Sequence, residues 1–252
     1  MAHLNPQEFS FEKIKRVEGN STDSSFMKST DDFLCELITR QYSYNFTWAG
    51  LPIIQFPEDV VAMQEIIFET KPDVIVETGV ARGGSLVFYA SLLKLLEKKK
   101  VIGVDVKILD FNRELIEKHF LSSHIVLIEG DSTNPDTLVR IKREIGENDQ
   151  ILVCLDSNHS ESHVSAELNL YAGMVSIGSY IVVFDSTVEE LTQDQIAIFN
   201  NEYNDGDWGK GNNPGSAVRK FLENNSNFKL DPFFNSRSMV SNCRGGFLKR
   251  IK

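Results

Sequence analysis

Ile151-Leu-Val-Cys-Leu-Asp156-Ser-Asn-His159 is the stretch on which the fold turns. Five apolar residues run into an aspartate, and a histidine follows three positions later. A short, continuous apolar run predicts a strand buried on both faces, the kind found in parallel sheets. Ligands in open parallel sheets gather at the carboxyl ends of the strands. Asp156 and His159 therefore fall on a functional rim, as an acid and a base. Tyr180-Ile-Val-Val-Phe184 followed by Asp185 repeats the pattern. Two neighbouring strand ends that carry carboxylates can share a cation.

Working outward, the chain alternates strands and helices from residue 72 onward. Strands are expected over residues 74–77, 101–106, 125–128, 151–155 and 180–184. Helices are expected over 84–97, 111–119, 134–144 and 163–176. This rhythm predicts a doubly wound, mostly parallel, Rossmann-like α/β sheet with crossover helices. A helix over 214–224 and two short strands, 228–230 and 246–250, follow as an antiparallel pair closing the sheet edge. Upstream, residues 1–30 are polar and Ser/Thr-rich and read as an irregular arm. Helical spacing appears at Phe33, Leu34, Leu37 and Ile38, within a helix expected over 31–42, and Pro57 opens another over 58–70. The organisation is an N-terminal arm and helical extension, 1–57, packed on one α/β domain, 58–252.

Bulk properties remove several function classes. The 252 residues are 41% hydrophobic, enough for one sizeable core. A net charge of −10 and a pI near 5.0 leave no basic footprint for nucleic acid. Lys98-Lys99-Lys100 sits at an expected helix end and reads as solvated. Cys35, Cys154 and Cys243 are odd in number and fit no metal spacing, so a reducing, cytoplasmic setting is expected. Met1-Ala-His-Leu-Asn-Pro6 has no basic flank before an apolar core, so no signal peptide is expected. No apolar run reaches membrane-spanning length.

Glycine residues mark the loop Glu77-Thr-Gly79-Val-Ala81-Arg-Gly83-Gly84-Ser85 between the first strand and its helix. They allow a tight turn and a close ligand approach. The loop departs from G-x-G-x-x-G, because Ala81 takes the middle glycine's place and Gly83 is extra. Asp105 ends the second strand, where an acid binds ribose hydroxyls. Glu77 before Gly79, together with Asp105, is the usual pattern of S-adenosylmethionine (SAM) binders. Gly79, Ala81, Gly83 and Ser85 are then candidate cofactor contacts. Asp131, after the third strand, either touches the adenine or caps the next helix.

Asp156 and Asp185 are hard oxygen ligands, and oxygen donors without cysteine favour Mg²⁺ over zinc. Ser186 or Asn158 is a candidate further ligand. A bound Mg²⁺ would lower the pKa of a substrate hydroxyl and orient it. His159, a side chain that ionises near neutrality, would take the proton. The activated oxygen would then attack a methyl group held in line. Asp156 taken alone also reads as a helix cap or turn former, a reading that the matched Asp185 weakens. His163 reads as structural, since no Glu completes a zinc-binding pattern.

These motifs resemble the cephalosporin hydroxylase and rhamnosyl O-methyltransferase family. The resemblance rests on residues 76–85, 101–106, 154–159 and 183–185. It extends to Trp208-Gly-Lys-Gly-Asn-Asn-Pro214, Gly246-Phe-Leu-Lys-Arg-Ile251 and Leu51-Pro-Ile-Ile-Gln-Phe-Pro57, and covers roughly residues 40–252. It implies a class I methyltransferase fold with SAM and often a divalent metal. By similarity Glu77, Gly79 and Asp105 fall on SAM positions, and Asp156 and Asp185 on metal positions. Catechol-type O-methyltransferases are a more distant likeness. They place a base where His159 stands, and an Asn where this chain has Ser186.

The expected activity is O-methyl transfer to a sugar, glycan or secondary-metabolite hydroxyl. Residues 203–213 form the expected substrate loop, in which Trp208 either stacks on a sugar or joins the core. The helical extension is an expected contact surface for a homo-oligomer. Two other readings stand beside this one. The first is an NAD-dependent oxidoreductase, against which Glu77 and the strand-end aspartates count. The second is a non-catalytic SAM-fold partner protein.

Overall fold

The computed structural model describes residues 4–203 and 208–252. Its central strands are β3 (Val74–Thr78) and β6 (Ile151–Leu155), and every residue of both is buried. They pair in parallel, with Thr78 opposite Leu155. On one side lie β4 (Lys100–Asp105) and β5 (Ile125–Glu129). On the other lie β7 (Tyr180–Val183), β9 (Phe247–Arg250) and β8 (Phe228–Leu230). The sheet order among the described residues is β5-β4-β3-β6-β7-β9-β8. The first five strands are parallel, while β9 pairs antiparallel with both β7 and β8. The expected antiparallel closure is therefore present.

Alternation along these strands splits the core in two. Ile75, Leu152, Cys154 and Val182 face one layer. That layer is made by α3 (Pro57–Thr70), α4 (Gly84–Leu95), α5 (Asp110–Glu117) and α10 (Pro232–Arg237). Val74, Val76, Val153, Ile181 and Val183 face the other. There α6 (Pro135–Arg143), α7 (Glu161–Tyr171) and α9 (Pro214–Asn224) supply Ile141, Leu168 and Phe221. Strands covered on both faces have no polar side, which is why they read as unbroken apolar runs.

The N-terminal arm departs from expectation. Residues read as irregular form α1 (Pro6–Thr22) and the start of α2 (Ser24–Thr39). The Ser/Thr/Asn/Asp content that suggested a loop supplies caps instead. The Asn5 carboxamide accepts from Gln7 N and Glu8 N at 3.0 Å, and Glu8 reaches back to Asn5 N at 2.9 Å. Asp23 caps α2 in the same way. Leu34, Leu37 and Ile38 of α2 pack with Val188 and Leu191, just beyond Asp185, and with Ile196 of α8 (Gln193–Tyr203). The sequence reading missed α8 and α10. It also missed a hairpin, β1 (Thr47–Trp48) and β2 (Leu51–Pro52). The helix expected over 163–176 begins earlier and ends in a 3-10 turn, Ala172–Met174.

Two contacts set where the strand ends meet. Gly79 has φ +89°, and a Cβ there would lie 1.9 Å from the Asp156 carbonyl oxygen. Its glycine is required by the close approach of the backbone just beyond the ends of β3 and β6, not only by a ligand. Residues 238–246, leading into β9, are held by the N-terminus of α3. Asp59 accepts from Ser241 Oγ and, at 3.0 Å, from Asn242 N. Burial pushes its carboxyl from 3.8 up to about 7.

Gly79→Ala is expected to cost at least about 1 kcal/mol from the left-handed backbone alone, with more from the overlap. Urea denaturation measures this, and a wild-type midpoint would contradict it. For Asp59, the folded state keeps a proton that the unfolded chain releases between pH 3.8 and about 7. Stability should fall as pH rises through that window, by at most about 1.4 kcal/mol per unit, and level off above it. Asp59→Asn should remove that slope in urea melts taken from pH 4 to 8.

Candidate active site

The strand order reverses between β3 and β6, the place where open α/β sheets bind ligands. A cavity of about 440 Å³ opens there. Gly79, Ala81, Asp105, Asp131, Asp156 and His159 are on its wall. A narrower cleft adjoins it, sharing Gly79, Ala81 and Asp156, and is lined by Gly83, Ser85 and Gln55. Six of the seven expected cofactor residues thus line two connected spaces. Glu77 lies behind them, fully buried, where Ser85 Oγ donates to its Oε2 at 2.7 Å. Its Oε1 has no hydrogen-bond partner, and burial holds the carboxyl well above the usual carboxylate range.

Asp105 is fixed by two backbone donors: Val80 N to Oδ2 at 2.9 Å and Lys107 N to Oδ1 at 3.0 Å. Asp131 accepts from Thr133 N and Thr133 Oγ1 at 2.8 and 2.7 Å, which lowers its pKa. It therefore shapes a turn and lines the cavity at once. The wall between them includes two residues the sequence reading had not placed there. Ser157 Oγ donates to the fully buried Glu167 at 2.7 Å. His163 Nε2 lies 3.1 Å from Ser132 Oγ and 3.5 Å from Glu167 Oε1, and the glutamate raises the histidine's pKa. His163, read as structural, is part of the cavity lining. Its i, i+4 partner Glu167 was the available signal.

Asp156, His159 and Asp185 come together as the two strand-end motifs predicted. One ligand atom from each lies within 4.8 Å of the others. His159 Nε2 is 3.6 Å from Asp156 Oδ1 and 3.3 Å from Asp185 Oδ2. Asp156 N donates to Thr78 O at 3.0 Å, which fixes its place against β3. Asp185 has φ 55°, a left-handed backbone that residues with a Cβ seldom adopt. The Trp208 ring backs His159 at 5.5 Å between centroids and is itself buried. Of its two readings, the structure favours the core. Residues 204–207 of the expected substrate loop lie outside the described residues.

Two candidate ligands are otherwise engaged. Ser186 Oγ is buried, 3.0 Å from Val183 O and 2.9 Å from Arg244 O. Its hydroxyl serves backbone carbonyls, and the third residue beside the two aspartates is His159. Asn158 Oδ1 accepts from Ser160 N and Ser160 Oγ, starting α7. Oxygen-rich chemistry at the cluster is reinforced by the cysteines. Cys154 and Cys243 are buried, and burial pushes both thiols well above their usual range. They remain protonated and are poor metal ligands. The donor set fits a hard divalent cation, and the cradle around Gly79 fits an elongated cofactor.

The family model Rhamnosyl O-methyltransferase/CmcI matches residues 40–251. The rhamnosyl O-methyltransferase of Mycobacterium leprae is 31% identical over 164 residues, which span 62% of this chain and 69% of that one. Its counterpart in Mycobacterium tuberculosis H37Rv is 30% identical over 164 residues, 62% and 65% of the two chains. The aligned part is thus just under two thirds of the latter protein. Among solved structures, CmcI with Mg and SAM has a TM-score of 0.55 at 18% identity, covering 83% of this chain and 78% of that one. The SAH-bound Podospora anserina methyltransferase PaMTH1 has a TM-score of 0.51 at 14% identity, covering 99% and 98%. At these identities the structural likeness bears on the fold alone. Taken with the family match over most of its length, it places this chain in the rhamnosyl O-methyltransferase/CmcI family, built on the class I methyltransferase fold.

Proposed function

We propose that this chain moves the methyl group of SAM onto a hydroxyl of a sugar, glycan or secondary metabolite. Asp156 and Asp185 hold a divalent cation, Mg²⁺, and His159 is the base. The observation that carries this reading is the Asp156–His159–Asp185 cluster, two members of which, Asp156 and His159, line the cavity at the sheet's switch point. Family membership supports O-methyl transfer, and the names of the mycobacterial relatives support a sugar acceptor.

Bound Mg²⁺ would supply positive charge that lowers the pKa of the acceptor hydroxyl and orients it. The protein's own groups do the rest. The 79–85 loop and Asp105 hold the methyl donor. His159, backed by Trp208, accepts the hydroxyl proton. Bound S-adenosylmethionine would supply an electrophilic methyl group to the acceptor oxygen, its sulfonium becoming the neutral thioether of S-adenosylhomocysteine. Holding the two reactants in line supplies much of the rate.

No described helix is long and apolar enough to cross a membrane. Free, buried cysteines agree with a reducing, cytoplasmic setting for this reading. Phe9, Phe11 and Phe33 are exposed on α1 and α2, and self-association through that extension is part of the proposal. Light scattering that finds only monomer would remove this part.

Removing divalent cations should abolish transfer to a rhamnoside acceptor, and added Mg²⁺ should restore it. His159→Ala should lower kcat by roughly 10²–10⁴ with SAM affinity unchanged, as for a lost general base. Calorimetry with SAM and NADH tests the cofactor: tight NADH binding without SAM binding would sink the proposal.

A further inference from the structure

Asp185 is gripped from both sides by one segment, residues 238–246. Before it, Val183 N donates to Gly246 O at 2.9 Å. After it, Thr187 makes three bonds to the same segment. Thr187 N donates to Asn242 O at 3.2 Å, Thr187 Oγ1 donates to Ser241 O at 2.7 Å, and Arg244 N donates to Thr187 Oγ1 at 2.9 Å. Gly246 presses on the chain closely enough that a Cβ would lie 2.1 Å from Val183 O. The segment is anchored in turn. Val240 N and Asn242 N donate to Glu58 and Asp59 of α3 at 2.5 and 3.0 Å. Arg244, 2% exposed, pairs with Asp31 of α2 and lies 3.5 Å from Glu190.

A left-handed backbone at a residue with a Cβ persists only where its surroundings over-determine it. Asp185 is such a residue, and the bonds around Thr187 are what surrounds it. We infer that Thr187 is a positioning residue: with the 238–246 strap it keeps Asp185 in the left-handed turn that directs its carboxylate to Asp156 and His159, and so sets cation affinity. The inference rests on reading Asp156 and Asp185 as cation ligands. Outer groups that orient a ligand typically change metal affinity about 10–100-fold when removed.

The test is calorimetric titration of Mg²⁺, and separately of SAM, into the full chain. Thr187→Val keeps the shape and removes the hydroxyl. It should raise the Mg²⁺ Kd about tenfold or more, with the SAM Kd within about twofold of wild type. Thr187→Ser should restore Mg²⁺ binding. Asp59→Ala leaves Thr187 intact and removes the acceptor of both Ser241 Oγ and Asn242 N; it should raise the Mg²⁺ Kd about threefold. Wild-type Mg²⁺ affinity in Thr187→Val overturns the inference, and so does equal weakening of both ligands without rescue by Ser. If Thr187→Val does not fold, wild-type Mg²⁺ affinity in Asp59→Ala overturns it. Asp156→Asn separates the two readings. If it loses Mg²⁺ while Thr187→Val does not, only the role of Thr187 fails. If it binds Mg²⁺ as wild type does, the cation reading fails and this inference with it.

Discussion

The close approach of the chain just beyond the ends of β3 and β6 is the constraint on which the rest depends. No side chain fits between Gly79 and the Asp156 carbonyl, so the 79–85 loop and the Asp156–His159 turn lie against each other. The approach comes where the sheet order reverses, and the cavity opens beside it. In the proposed function, a cofactor on the loop and an acceptor at the aspartates would thereby be kept adjacent. Proximity of that kind is what a methyl transfer requires.

The second aspartate is placed by different means. Asp156 follows directly from a central strand and inherits its position from parallel pairing. Asp185 lies two residues beyond β7 and adopts a backbone conformation that local preferences oppose. Long-range contacts make up the difference. The 238–246 strap binds both flanks, and α2 packs Leu34, Leu37 and Ile38 beneath Val188 and Leu191. The N-terminal extension therefore supports the site as well as the fold. Arg244 and Asp31 join those two supports, and removing either partner would leave a charge poorly compensated in the interior.

How much could be read in advance follows from how local each signal is. Strands covered on both faces are apolar along most of their length, with polar residues such as Glu77 and Asp105 toward their ends, so β3, β4, β6 and β7 were plain as apolar runs. The antiparallel β8–β9 pair was legible because the strand–helix rhythm broke before it. The first thirty residues were misread because capping residues and loop residues are the same types; only the Asn5–Glu8 spacing separates them. Helix α10 has six residues, too few to show a period. Ser186 was a reasonable ligand by neighbourhood, yet its hydroxyl meets the carbonyls of Val183 and Arg244, the latter 58 positions away.

By itself the sequence determined the alternation of strands and helices, the carboxylates at the strand ends, and the family motifs that carry a methyltransferase reading. Those signals are local: periodicity, apolar runs and short spacings survive without a fold. The tertiary structure alone decided that the Ser186 hydroxyl turns to a distant backbone carbonyl, and that His163 faces the cavity. It also decided that Gly79 makes room for a backbone, and that a distant strap braces Asp185. These depend on which strand ends become neighbours and on bonds between residues more than fifty positions apart, which no local pattern records.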